Sequence, residues 1–359
     1  MTFRDVQLER IAEKLRAGHR LDLQDGIACL TTPDLFGLGR LAGAQKERRF
    51  GRRVTYVFNR QINPTNVCVL TCSFCDFAAR PNSPKGYEMS MDEILDACKG
   101  GFREVHIVGG LHPLWPYEYY LDMLRAIRRA YPQMQIKAWT AVEVDFFGKL
   151  ARKDVREVLA DLKEAGLDAM PGGGAEVLSP RVRKALFPTK IGAERWLLIH
   201  RLAHEMGIRS NVTLLYGHIE TAEEVADHML QVRAAQDITG GFMSFIPLSL
   251  QAGDTGLADR PTPAGLDLRI VATSRLMLDN VPHIKAYWVM TGIPTATLAL
   301  NFGADDVDGT IGKETIAHMA GATSPMELLR GQLEEMIHDA GMTPVERDAL
   351  YNDVEVAAV

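Results

Sequence analysis

From Arg53 onward the sequence alternates short β-prone runs with helical patterns, and no other feature limits its fold as tightly. Strand candidates fall at Val54 to Ile62, Glu104 to Val108, Gln135 to Val142, Leu167 to Met170, Ile208 to Leu215, Gly241 to Pro247, Ile284 to Met290 and Ala304 to Val307. Helical patterns lie between them. Val155, Val158, Leu159 and Leu162 share a face before Gly166, Trp196 to Met206 runs to Gly207, and Thr221-Ala222-Glu223-Glu224 is a capping-box sequence. Strands separated by helices pair in parallel, so these eight units predict an α/β fold, a (β/α)8-like, TIM-type barrel.

The flanks predict helices. Residues 1–50 form a helical layer, with Leu8, Ile11 and Leu15 on one face and Thr32-Pro33 opening a further helix. Residues 51–310 make the barrel, and 311–359 a helical extension packed on it. In that extension Ser324-Pro325 opens a helix carrying Leu328, Leu329, Leu333, Met336 and Ile337, Gly341 stops it, and Thr343-Pro344 begins the last.

The first strand runs into Asn63-Pro64-Thr65-Asn66-Val67-Cys68-Val69-Leu70-Thr71-Cys72-Ser73-Phe74-Cys75, which holds three of the chain's 5 cysteines. Asn-Pro-Thr-Asn is turn chemistry and argues against one apolar helix face. A structural zinc site would close with a second Cys or His pair; no second CxxC follows, and the HxxxH spacing of His200 and His204 falls far along the chain in the helical pattern Trp196 to Met206. Three thiolates on one loop instead suit a 4Fe-4S cube whose fourth iron has no protein ligand. Cys29 and Cys98 lie apart; Cys98 sits in the helical pattern opened by Ser90-Met91-Asp92-Glu93, and both read as small core residues.

CxxxCxxC with the aromatic Phe74 before its last cysteine resembles the signature of the radical S-adenosylmethionine (SAM) superfamily. The resemblance implies a 4Fe-4S cluster on Cys68, Cys72 and Cys75, with SAM chelating the open iron. It also implies a low-potential electron donor such as flavodoxin or ferredoxin, and cleavage of SAM to a 5'-deoxyadenosyl radical. Phe74 would pack beside cluster and adenine.

Barrel active sites form at the C-terminal ends of strands, and the residues there supply the other candidates. Gly109-Gly110 lets a backbone approach a ligand and looks like the superfamily's glycine-rich SAM motif, with Leu111 where an acid is usual; His112 follows as a substrate candidate. Glu143 is expected to accept from ribose hydroxyls, and Asp145 to be solvated. Gly172-Gly173-Gly174 can form a nest of amides, with Glu176 just beyond. Asn211 is a ribose or substrate contact, and Ile246 floors the adenine. Tyr216 and His218 are substrate candidates, although His218 also reads as steadying the turn before Thr221. Asn63 and Gln251 complete the substrate set. Asp305, Asp306 and Asp308 read as a solvated turn, since a hard cation needs several converging oxygens. Residues 311–319 are expected to overhang the barrel mouth.

Within the superfamily, several runs look like the aminofutalosine synthases of the futalosine route to menaquinone. They are Ile62 to Cys68, Glu104 to Pro113, Pro171 to Glu176, Leu215 to Thr221, Ala286 to Met290, Ala304 to Thr310 and His318-Met319-Ala320-Gly321-Ala322. The last separates them best from their nearest relatives. The resemblance implies a transferase that adds the deoxyadenosyl radical to the enolpyruvyl double bond of 3-[(1-carboxyvinyl)oxy]benzoate. Rearrangement and loss of the carboxylate would give 6-amino-6-deoxyfutalosine, with SAM consumed. The sister dehypoxanthine futalosine cyclases and deazaflavin-precursor synthases share loop and barrel and are the alternative. Two departures stand out: Leu250-Gln251 where an aromatic and a His are usual, and Gly312-Lys313 where acids are usual.

A net charge of -6 lacks the electrostatic footprint of a nucleic-acid partner. No apolar run approaches a membrane span, and Arg4, Asp5, Glu9 and Arg10 make the N-terminus unlike a signal peptide. A thiolate trio favours a reducing compartment, so a cytoplasmic location is expected.

Overall fold

The computed structural model describes residues 2–354. Ten strands form one sheet: β1 Arg53–Val57, β2 Asn59–Ile62, β3 Glu104–Ile107, β4 Gln135–Ala138, β5 Ala169–Met170, β6 Arg209–Tyr216, β7 Phe242–Ser249, β8 His283–Ala286, β9 Asp306–Val307 and β10 Thr343–Arg347. The order is β10-β1-β9-β8-β7-β6-β5-β4-β3-β2, with every pair parallel. Helices fill the crossovers, giving the TIM-like α/β architecture.

The run Val54 to Ile62 is split at Phe58, because its two halves have different neighbours. β1 pairs with β9 and β10, while β2 pairs with β3. Beyond β9, Thr310 donates its amide to the Val57 carbonyl (3.3 Å) and Gln61 donates to Ile311 (2.8 Å). The 53–62 stretch therefore joins both ends of the sheet, and the barrel closes through it.

The helices Leu23–Thr31 and Leu35–Phe50 pack against the barrel's outer helices Ala222–Thr239 and Ala264–Met277, and Val6–Arg16 packs on those two N-terminal helices. Cys29 and Cys98 are fully buried in the continuous apolar core. Among the described residues no helix is long and apolar enough to cross a membrane.

Four sequence expectations need correction. The segment after residue 310 is not wholly helical: Thr343-Pro344 begins β10, laid parallel on β1 from Arg53↔Thr343 to Val57↔Arg347. Pro344 is tolerated because β10 is the edge strand, where a missing N–H breaks no ladder. The helix before it starts at Arg330, not Ser324. The third strand ends at Ala138, and Thr140 caps a helix Ala141–Ala151 with Glu143 as its capping-box partner. The eighth ends at Ala286, before a short helix Trp288–Thr291.

Nor are the acids at 305–308 solvated. Asp305 is buried against Arg275 and His283, Asp306 against Arg347 and Lys285, and Asp308 against Lys285. Asp145 is likewise buried, held by Arg195 and Lys149 at 2.8 Å each. A carboxylate out of water persists in charged form only when paired, which these partners supply.

Candidate active site at the barrel mouth

At the C-terminal ends of the strands lies a cavity of about 300 Å3, lined by Cys68, Cys72, Cys75 and Phe74 on one side and by strand ends on the others. The cysteine loop is fixed by the turn chemistry ahead of it. Thr65 Oγ1 donates to Tyr87 O and accepts from Val67 N, and the Asn66 side chain accepts from Tyr87 N and donates to Lys85 O. Cys68 N donates to Ala79 O at 2.9 Å, pinning the return of the loop. All five cysteines are free thiols.

Gly109 and Gly110 line the cavity, but the loop itself dictates their smallness. A Cβ on Gly110 would run into the Val67 carbonyl, and one on Gly109 would lie 2.9 Å from the Thr65 carbonyl. The Gly109 amide is already used, donating to Glu143 Oε1 at 3.2 Å. Glu143 Oε2 accepts from Thr140 N at 2.7 Å. Burial raises the Glu143 carboxyl to about 7, against the pull of these hydrogen bonds.

Gly172, Gly173 and Gly174 line the opposite wall, Gly172 against the backbone of Val212 and Gly174 at φ +87. Glu176 follows with φ 46, a left-handed conformation uncommon outside glycine, and meets Lys190 Nζ at 2.6 Å. Lys190 also lies 5.1 Å from the centre of the Phe74 ring, which packs edge-on against Phe187. Burial depresses the Lys190 ammonium, but Glu176 and the neighbouring cysteine sulfurs carry it above its ordinary value. Burial pushes the Cys75 thiol up to about 11 and raises Cys72 too, so metal binding there would release protons.

Asn211 and Ile246 face the same cavity from β6 and β7, and Asn211 Oδ1 is buried without a partner. Gln251 also lines it, donating to Ser249 O and Met290 O. The segment after β9 does overhang the mouth, contributing Glu314, Ile316 and Ala320.

Four of the sequence candidates do not line the cavity. Asn63 donates to Val108 O at 2.9 Å below the cysteine loop. His112 stacks on Trp115 and contacts Glu88. The Tyr216 hydroxyl donates to Asp267 at 2.7 Å in the core. His218 faces Leu215 O and Glu220, steadying the turn before Thr221. In their place stand liners that sequence did not single out: Gln61, His106, Lys190, Thr213, Tyr287 and Glu314. Lys190 gives no spacing signal, being 14 residues from Glu176. His106 could have been found from strand alternation, which turns it to the barrel interior, whereas Tyr287 lies just past the end of β8.

The donor set fits a 4Fe-4S cluster. Among the described residues no three His, Cys, Asp or Glu side chains converge as one metal ion requires, and three thiols that bind separate irons of a cube need no such convergence. They lie on one glycine-cradled loop, and no disulfide or zinc-type fourth ligand competes for them.

Residues 62–232 match the family model described as the Radical SAM superfamily, and 239–358 that of the CofH/MqnC C-terminal region. Aminodeoxyfutalosine synthase of Thermus thermophilus is 47% identical, covering 98% of this chain and 97% of its own. The 5-amino-6-(D-ribitylamino)uracil--L-tyrosine 4-hydroxyphenyl transferase of Methanopyrus kandleri is 40% identical over 90% of each. In fold, the chain is similar to methylornithine synthase, with a TM-score of 0.74 at 19% identity, covering 93% of this chain and 97% of that one. The cysteine loop at a closed parallel barrel's mouth thus agrees with sequence kinship along the chain, and this protein belongs to the radical SAM superfamily as an enzyme of that type.

Proposed function

We propose that this protein is an aminofutalosine synthase. It joins the 5'-deoxyadenosyl group of SAM to the enolpyruvyl double bond of 3-[(1-carboxyvinyl)oxy]benzoate, and rearrangement with loss of the carboxylate gives 6-amino-6-deoxyfutalosine. The observation that carries this is 47% identity across nearly the whole of both chains to a synthase of that name, against 40% for the hydroxyphenyl transferase. The position of the run His318 to Ala322 supports it. Ala320 lines the cavity, and Gly321, at φ +95, turns the chain against Ala252 and Gly253, so the run that best marks these synthases forms part of the mouth.

Cys68, Cys72 and Cys75 would hold a 4Fe-4S cluster, which when bound supplies a low-potential electron at an iron that no side chain caps. The chain's own residues bind and orient SAM. Glu176, with Lys190 beside it, and the unpartnered Asn211 Oδ1 offer acceptors for the nucleotide's ammonium and ribose hydroxyls. Ile246 and Leu248 offer apolar surface to adenine, and Phe74 covers it from the loop. Glu143, titrating near 7, is a ribose acceptor that can give up its proton as SAM arrives. Overhanging residues 314–320 help exclude water from a radical that would otherwise attack it or stray side chains. A cytoplasmic setting and an electron donor such as flavodoxin or ferredoxin belong to the same proposal.

The test incubates anaerobically reconstituted protein with SAM, dithionite and the enolpyruvyl benzoate, and looks for 6-amino-6-deoxyfutalosine by mass spectrometry. Free 5'-deoxyadenosine as the sole nucleoside product would reject the proposal. Gln251, at the cavity wall where these synthases usually carry an aromatic and a His, favours a second possibility: a sister enzyme acting by hydrogen abstraction. Deuterium passing from labelled tyrosine or dehypoxanthine futalosine into 5'-deoxyadenosine would decide for it.

A further inference from the structure

TIM-barrel interiors are usually filled by branched apolar side chains. This one is layered by charge. Beneath the cavity, and reaching its wall at Asp308, Glu104 meets Lys137 at 2.6 Å, Lys285 meets Asp306 at 3.2 Å and Asp308 at 3.0 Å, and Arg347 meets Asp306 at 2.8 Å. These are three acids and three bases, all buried and all paired, so the layer is neutral as a whole.

The layer above is not self-sufficient. His106 sits in register between Gln61 of β2 and Lys137 of β4, and it lines the cavity. Among the described residues neither its ring nor the Tyr287 hydroxyl has a hydrogen-bond partner. Lys190, the other base in the cavity wall, is taken by Glu176, which leaves His106 as the lining base with no acid in contact. Burial pulls its imidazole down to about 4; Lys137 and Lys285 add to that, while Glu104 and Asp308 oppose it. Burial, with Glu314 and Asp308 nearby, keeps Tyr287 a neutral phenol. Two uncharged donors with unspent hydrogen bonds, resting on a neutral ionic layer, are poised for a ligand acceptor.

We infer that His106 and Tyr287 form a floor subsite that takes the ring carboxylate of an aromatic acid substrate. This rests on the proposed synthase function, in which the enolpyruvyl carbons must meet C5' of SAM beside the cysteine loop. The benzoate end then points away from that loop, toward the floor. Tyr287 donates its O–H to one carboxylate oxygen and the imidazole an N–H to the other. The arriving anion favours the imidazolium, so docking takes up a proton at His106.

The test measures binding to anaerobic, cluster-loaded, SAM-saturated enzyme between about pH 5.5 and 8. The ligands are 3-[(1-carboxyvinyl)oxy]benzoate and its ring methyl ester. The diacid should bind at least about tenfold more tightly than the ester, and its Kd should rise by up to about tenfold per pH unit where the proton is taken up. His106→Gln should lose most of that preference and the slope; Tyr287→Phe should weaken the diacid while keeping the slope. Glu143 titrates in the same range but is common to wild type and His106→Gln, so the difference in slope belongs to His106. Equal affinity for acid and ester in the wild type, or an unchanged slope and affinity in His106→Gln, overturns the subsite. Iron content matched to wild type guards against misfolding, and the ester comparison decides if the variant does not fold. Tight, ester-sensitive binding without any aminofutalosine would sink the synthase function and leave the carboxylate subsite standing.

Discussion

At the scale of single residues, the five cysteines separate by surroundings. Cys68, Cys72 and Cys75 share one cavity wall, whereas Cys29 and Cys98 are sealed in the core, where burial pushes both thiols up to about 12. Replacing any one of the trio by Ala should abolish the cluster's visible absorbance and stop SAM cleavage. Cys98→Ala should keep its iron and lose only packing, on the order of 1 kcal/mol. Iron analysis of the four variants checks this, and equal loss in Cys98→Ala would contradict the assignment. The trio was legible because its spacing is local. Lys190 was not, because its role depends on meeting Glu176 across the short helix Pro180–Leu186, where a left-handed Glu176 brings its carboxylate to the ammonium.

At the scale of elements, the start of the helix Ala141–Ala151 matters most to the site. The capping boxes at Ser90 and Thr221 were legible and form as their sequences predict. The one at Thr140 was hidden inside a run of strand formers. What ends that strand is Trp139, buried at φ 61, a conformation that only strong packing sustains in a bulky residue. β10 was missed for the opposite reason: Thr343-Pro344 is sound helix-start chemistry, but pairing with β1 outweighs local propensity. The cap makes Glu143 a pH-sensitive joint. Its carboxyl is raised from 4.5 to about 7, so its stabilising contribution is fully present below about pH 4.5 and is lost as pH rises through about 7. The half-buried His106 and His204, lowered to about 4, and the fully buried His200 and His228, also lowered, act with the opposite sign at lower pH. The comparison is therefore wild type against Glu143→Gln by urea denaturation. Wild-type stability relative to the variant should fall by on the order of 1 to 3 kcal/mol between pH 5 and pH 8; a difference flat across that range would refute the raised carboxyl.

At the scale of the whole molecule, the barrel is open at one end and shut at the other, and the residues from β10 onward do the shutting. Glu346 reaches Arg103 at 3.1 Å, Gln135 donates to Asp348 at 3.0 Å, and Arg209 donates to Leu350 O at 3.1 Å, so the segment crosses the lower ends of β3, β4 and β6. Tyr351 stacks on His283 with ring centres 4.2 Å apart and donates to Asp306, while Arg347 binds both oxygens of the same carboxylate. Sequence could not show this, because a plug is defined by what lies under it. The consequence is that Asp306 depends on Arg347 and Lys285 together. Arg347→Met would leave a fully buried carboxylate with one cation, and breaking such a pair from one side typically costs about 3 to 5 kcal/mol. The loss should appear in chemical denaturation, while iron content and SAM affinity at the opposite mouth stay near wild type in the folded fraction. A cost under about 1 kcal/mol would mean that Lys285 alone balances the layer, and that the plug closes the barrel by shape and not by charge.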